Sequence, residues 1–219
     1  MDKDAFRSPR GPGIGAPAAA ALLVCAHGRR EVCCAKYGRP VAAALRAEFG
    51  PIAWETTHIG GDRFAAGLVA LPSGAYFGRL DPAEAVRAAR AALTGELDLE
   101  HYRGTAGTPA AVQAAECFLR REFGLTRMHA VRHIGGRGLA ERFRVDASVG
   151  ASEKPSAEHA SVFEVELTRR RAGCARLTSC GSGTVEQPPA YRLHSITAVP
   201  SDSSAPKASP PSTPVTAAL

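Results

Sequence analysis

Three thiols, a histidine and two arginines fall within ten residues at Cys25-Ala-His-Gly-Arg-Arg-Glu-Val-Cys33-Cys34. A second stretch, Trp54-Glu-Thr-Thr-His58-Ile-Gly-Gly-Asp62, sets a histidine and a carboxylate four positions apart across a Gly-Gly pair. Thiolate and imidazole together suit zinc or an iron–sulfur cluster. Cys25 and Cys34 offer two donors from one loop, and His58 and Asp62 offer two from another, the supply a four-ligand site requires. Arg29 and Arg30 favour the thiolate form and offset the charge of an anionic cluster. The short Cys-x2–4-Cys pairs of usual zinc sites are absent. Residue chemistry alone leaves open a metal or cluster site, thiol chemistry, or packed thiols.

The elements that position these loops follow from apolar patterning. Pro17–Val24 contains a short apolar run before a Gly-containing loop, which predicts a buried strand in its C-terminal half. Cys34–Phe49 reads as a helix with Val41, Leu45 and Phe49 on one face, its regular part starting at Pro40, where proline is tolerated at N1. Gly50-Pro51 stops it, and Ile52–Ile59 is a second strand whose end carries His58. Gly67–Leu71 and Ala75–Leu80, separated by Pro-Ser-Gly, predict a β-hairpin. Asp81 and Pro82 cap a helix reaching Ala92 or Leu93. After a looser stretch over 96–107, Thr108 and Pro109 open a helix to Phe123, with Val112, Ala115, Phe118 and Leu119 inward and Gly124 ending it.

Beyond Leu125 the pattern changes to period two. Arg142–Val149, Val162–Thr168 and Tyr191–Val199 predict three strands of a half-exposed antiparallel sheet, with Gly150–His159 a polar loop. The expected organisation is a flexible lead over 1–16, an α/β domain over 17–124, a small β-rich region over 125–199 and a disordered tail over 200–219.

The chain has 219 residues, is 45% hydrophobic and carries a formal charge of +6, which suits one good-sized domain with a smaller appendage. Aromatic residues make up only 6% and do not interleave with the basic ones, so nucleic-acid stacking is not supported. The basic surface instead suits docking of an acidic redox partner. No apolar run reaches the roughly 18–20 residues of a membrane span, and Ala18–Val24 is too short for a signal peptide. The expectation is a cytoplasmic protein, where six cysteines build no structural disulfide framework. Cys117, Cys174 and Cys180 read as incidental thiols, and Trp54 and Tyr76 as core.

Cys25-Ala-His-Gly-Arg-Arg-Glu-Val-Cys-Cys34, Gly38-Arg-Pro40, His58-Ile-Gly-Gly-Asp-Arg-Phe-Ala65 and Leu71-Pro-Ser-Gly-Ala-Tyr-Phe-Gly-Arg79 together resemble the sucrase/ferredoxin-like family. The resemblance is dense over 18–123 and weaker to about 195. It implies the fold class: α/β, a thioredoxin-like ferredoxin layer followed by a small antiparallel β appendage. It also implies a [2Fe–2S] cluster and electron transfer to a redox partner protein. Carried onto this chain, the first ligand pair falls on Cys25 and Cys34 and the first histidine on His58. The fourth position falls on Asp62, where the histidine-containing branch has a second histidine. A carboxylate is a harder ligand and holds a cluster iron less well, so Cys33 and His27 are the alternative donors. Family members carry a further thioredoxin-like portion ahead of the first cysteine motif, whereas 24 residues precede Cys25 here. One sheet edge is therefore expected to be uncovered and able to pair with another chain.

Two other function classes fit the same residues. A thioredoxin-like thiol oxidoreductase draws on the vicinal Cys33 and Cys34 beside two arginines, although Cys-x-x-Cys is missing and adjacent cysteines form only a strained disulfide. A zinc-binding or non-catalytic module is the other. No pair of carboxylates sits in a recognisable glycosidase motif. The repeat of His58-Ile-Gly-Gly61 at His133-Ile-Gly-Gly136 reads as a plain turn. Arg63 and Arg79 are candidates for orienting the site or pairing with carboxylates.

Overall fold

The computed structural model describes residues 18–29, 32–145, 162–171, 176–177, 185–187 and 189–199. Strand β1 (Ala21–Cys25) buries Leu22 and Val24 completely. Helix α1 (Val32–Phe49) crosses over to β2 (Ala53–Thr56), which lies parallel to β1. The hairpin follows as β3 (Gly67–Leu71) and β4 (Ala75–Gly78), with β3 antiparallel to β1. Then come α2 (Pro82–Leu93), β5 (Tyr102–Thr105) and α3 (Ala110–Phe123). The sheet order is β2-β1-β3-β4-β5. Strand–helix–strand followed by hairpin–helix is the α/β order that the sequence pattern predicts.

One core forms where α1 and α2 lie on this sheet. Val41 and Leu45 of α1 share this core with Leu22, Val24, Leu68 and Phe77, while the fully buried positions of α2 are alanines, Ala85, Ala88 and Ala89, with Val86 and Ala92 partly buried against it. Small side chains let the α2 backbone approach closely. An Arg90–Glu48 ion pair ties the two helices at their exposed rim. At the start of α2 the Glu84 N–H donates to Asp81 Oδ1 at 2.7 Å and the Asp81 N–H donates to Glu84 Oε2 at 2.8 Å. This reciprocal capping box fulfils the cap expected at Asp81 and Pro82.

The largest local departure is in α1. It begins at Val32, so Pro40 lies inside the helix and not at its first position. An interior proline forfeits one helical hydrogen bond. Packing overrides that cost: Cys34, Gly38, Val41, Ala42 and Leu45 form one buried face. At Gly38 that face meets β1 so closely that an added Cβ would overlap the Cys25 carbonyl oxygen. Gly38→Ala should gain up to about 1 kcal/mol in helix propensity but lose about 2–3 kcal/mol by overpacking against immovable backbone. The net expectation is a lower urea midpoint; an unchanged midpoint would show that α1 does not rest on Cys25.

Other boundaries shift for local reasons. β2 ends at Thr56, after a 3-10 turn over Gly50–Ile52, so His58 lies beyond the strand. Trp54 is 54% exposed on this edge strand, with the Arg46 guanidinium 5.9 Å from its ring, and is not a core residue. The stretch over 96–107 contains β5. Thr108 does not cap α3: Pro109 occupies the N-cap position without a side-chain bond. Gly124 ends α3 in the left-handed region at φ 64°, as expected.

The second sheet has the order β11-β8-β7-β6 and is antiparallel throughout. Its strands are β6 (Val131–Arg137), β7 (Ala140–Val145), β8 (Val162–Arg171) and β11 (Pro189–Val199), with β9 (Arg176–Leu177) and β10 (Val185–Glu186) forming a separate short pair. The three expected strands are present, lengthened or shifted, and β6 is additional. It contains His133-Ile-Gly-Gly136, which is a bulged strand and not a turn. Val112, Ala115 and Leu119 of α3 pack with Phe143, Phe163, Val165 and Leu167 of this sheet in a second core. The lead over 1–16, the loop over 150–159, residues 146–149 of the expected first strand and the tail over 200–219 lie outside the described residues. Among the described residues no helix is long and apolar enough to cross a membrane.

Candidate metal centre

Register decides which donors share a location. Cys25 ends β1 and pairs with Thr56 at the end of the parallel β2, and the Ala26 N–H donates to the Thr56 carbonyl at 3.3 Å. The chains leaving β1 and β2 therefore depart side by side, and His58 is two residues past Thr56. Cys34 reaches the same end from α1. It lies one helical turn before Gly38, about 6 Å along the axis, on the face that touches Cys25. Cys25 and Cys34 are both buried, and neither is in a disulfide. The Nδ1 atom of His58 is buried as well.

The loop carrying His58 is fixed from β4. The Tyr76 hydroxyl lies 2.8 Å from the Ile59 carbonyl and 2.6 Å from that of Gly60. Gly60 and Gly61 hold φ of 83° and 72°, a conformation that side chains resist. The Phe64 N–H closes the turn onto the Gly61 carbonyl at 2.7 Å. Asp62 opens the 3-10 turn Asp62–Phe64 that follows. Tyr76, expected in the core, is thus the residue that sets this loop. Sequence gave only the hint of a polar-tipped aromatic in an otherwise apolar hairpin.

Of the alternative donors, His27 is half-buried in the loop after β1. Cys33 is disulfide-bonded, against the expectation of a chain without a disulfide framework. Arg29 is exposed, and Arg30 lies outside the described residues, as do Cys174 and Cys180. Among the described residues no carboxylate forms an ion pair with Arg63 or Arg79, and both guanidinium groups lie over the Phe64 ring. Cys117 belongs to a different environment. Its thiol lies 3.7 Å from the Tyr102 carbonyl, and burial pushes its pKa up to about 11. A raised pKa means less thiolate at pH 8, about a hundredfold less than for a thiol near 9.0. Iodoacetamide should therefore label Cys117 about a hundred times more slowly than an exposed thiol; labelling at the ordinary rate would contradict its burial.

Among the described residues no three His, Cys, Asp or Glu side chains converge as a single-ion site requires. A two-iron cluster makes a different demand, since its four ligands divide as a pair to each iron. Cys25 and Cys34 would offer one pair of soft donors from facing elements, and the His58 loop leaves the neighbouring strand. The chemistry of this donor set fits such a cluster better than one ion.

Residues 6–104 match the family model described as sucrase/ferredoxin-like. No curated protein matches. Among solved structures, the thioredoxin-like [2Fe–2S] ferredoxin from Aquifex aeolicus is similar at 18% identity, covering 42% of this chain and 94% of that one with a TM-score of 0.36. A cysteine-to-serine variant of the thioredoxin-like ferredoxin from the same organism is similar at 16% identity, covering 38% of this chain and 96% of that one, with a TM-score of 0.34.

Proposed function

We propose, for a chain whose residues 6–104 match the sucrase/ferredoxin-like family, that it is an electron carrier holding a [2Fe–2S] cluster at the C-terminal ends of β1 and β2. The observation that carries this reading is the burial of Cys25 and Cys34 where α1 meets the end of β1, beside the strand that leads into the loop of His58. When bound, the cluster supplies a site that gains and loses one electron. The chain's own residues do the rest. Cys25 and Cys34 bind as thiolates, and their burial keeps water from them. His58 provides imidazole, which raises the potential relative to all-cysteine ligation. Tyr76 and the Gly60-Gly61 turn hold that imidazole's loop in place. Asp62 follows in chain position as the fourth donor, a harder ligand than the histidine of the histidine-containing branch.

Anaerobic reconstitution followed by a one-electron reductive titration tests the reading. Uptake of one electron per chain, with bleaching of a visible chromophore, is expected. A protein that takes up zinc alone and no electron contradicts it.

One observation favours a second reading, thiol–disulfide exchange: the Cys34 thiol is adjacent to the disulfide-bonded Cys33. Reduction of insulin by the apo protein would support it, and its absence leaves the electron-carrier reading alone.

A further inference from the structure

Phe64 closes the turn that follows the His58 loop and rests against the end of β4, where a Cβ on Gly78 would lie 2.8 Å from its own. Three guanidinium carbons surround its ring: Arg63 at 4.7 Å, Arg79 at 5.5 Å and Arg103 at 5.7 Å from the centroid. Three like charges held this close repel one another, and the ring faces offset that repulsion only in part. The arrangement is nonetheless fixed. Arg103 donates to the carbonyls of Glu100 at 2.9 Å, Tyr102 at 3.1 Å and Gly78 at 3.3 Å. Arg79 holds φ 63°, unusual for a residue other than glycine, while its N–H donates to the Phe64 carbonyl at 2.7 Å. Among the described residues the arginine ion pairs belong to Arg90, Arg120, Arg127 and Arg142. Burial, then the Arg121 guanidinium and further the Arg79 guanidinium, depress the Arg103 pKa, as expected of a cation short of counter-charge.

The position of this cluster gives it meaning. Val24 pairs with Leu68, Gly67 pairs with Gly78, and Phe77 pairs with Tyr102. Cys25, Arg79 and Arg103 therefore lie at one end of the sheet. Strand spacing puts the arginines about 10–14 Å across from Cys25. Arg63 and Arg79 are exposed and spread over a ring, an arrangement that suits a surface bearing several carboxylates.

We propose that Arg63, Arg79 and Arg103 around Phe64 form the docking platform for the carboxylate-bearing face of an acidic electron-transfer protein. The inference rests on the electron-carrier reading and names the chemistry of its partner. Complementary charge would guide the encounter and place the partner beside the donor end of the sheet.

The test measures binding of fluorescently labelled flavodoxin, a small acidic flavoprotein, to the full chain by anisotropy at low ionic strength. Apo and reconstituted protein are compared. R63E/R79E should weaken binding about tenfold or more, R63E alone by part of that, and added salt should weaken the wild type. R169E/R170E/R171E, which reverses the basic run of β8 at the other sheet, should leave affinity within about twofold. Wild-type affinity in R63E and R63E/R79E, equal weakening by the β8 variant, or displacement of flavodoxin by a single-stranded oligonucleotide of equal affinity would overturn the platform. Binding needs no cluster, so failure of the electron-carrier reading appears separately, in the absorption spectrum.

Discussion

Serine at position 34 should leave the reconstituted protein colourless, and serine at position 25 should do the same. Both side chains are buried and outside any disulfide at the contact of α1 with β1. A hydroxyl in either place has the wrong softness for a cluster iron, and burial keeps solvent from supplying a substitute. The expected effect is complete loss of visible absorption and labile sulfide, not a graded weakening. Cys33→Ser is the contrasting variant. Cys33 is disulfide-bonded and adjacent to Cys34 on a helix, so its side chain leaves the axis in a different direction. Colour should persist in Cys33→Ser after anaerobic reconstitution. Equal loss in all three variants would place the thiols' importance in folding, a possibility that far-ultraviolet circular dichroism separates from ligand loss.

The second large effect concerns stability. Arg120 is 2% exposed, and its guanidinium donates to Glu116 Oε1 at 2.8 Å, to the carbonyls of Leu125 and Arg127 at 3.0 Å, and to that of Met128 at 2.9 Å. The Tyr102 hydroxyl donates to the same carboxylate oxygen at 3.2 Å. Burial, and then the Glu116 charge, keep the Tyr102 phenol far above its ordinary range. One guanidinium thus joins β5, α3 and the segment leading into β6. Arg120→Leu preserves volume but leaves a buried carboxylate without its counter-charge, a loss of about 3–5 kcal/mol. That is a large share of the roughly 5–15 kcal/mol by which domains are stable. Urea denaturation should show it directly. Glu116→Leu combined with Arg120→Leu should recover part of the loss, because the carboxylate is gone while three carbonyls still lack a donor. A single variant as stable as the wild type would show the network to be incidental.

The helices and hairpin were legible where local chemistry and burial agree. Asp81, Pro82 and Glu84 spell a capping box, and the cap is present. Pro-Ser-Gly between two apolar runs spells a hairpin, and β3 pairs with β4. The loop after Cys25 was placed correctly at a strand end because an apolar run followed by a Gly-containing loop carries that signal, whereas the second strand ends at Thr56, before His58. The start of α1 was not legible: its reason is Gly38 against Cys25, a tertiary contact that outweighs Pro40. β5 alternates in burial over only four residues, and β6 lacks period-two alternation. β5 carries Gly104 at φ 112°, and β6 is an edge strand whose only buried side chain is Val131. The burial of Glu116 and Arg120 follows from their pairing at helical spacing, which looks in sequence like an ordinary exposed pair. In the candidate site, Cys25, Cys34 and His58 came from spacing and family resemblance. Arg63 and Arg79 were candidates for orienting the site, but their place around Phe64, the part of Arg103 and that of Tyr76 depend on the sheet register that aligns Gly67, Gly78 and Tyr102.

The most direct measurement is the electron paramagnetic resonance spectrum of the reduced, anaerobically purified protein, taken with its iron and acid-labile sulfide content. A [2Fe–2S] centre held by Cys25, Cys34 and a nitrogen of His58 predicts equal iron and sulfide, two of each per chain, and a reduced-state signal with hyperfine coupling to imidazole nitrogen. Loss of that coupling in His58→Cys would follow. A colourless protein without labile sulfide, before and after reconstitution, would contradict the account.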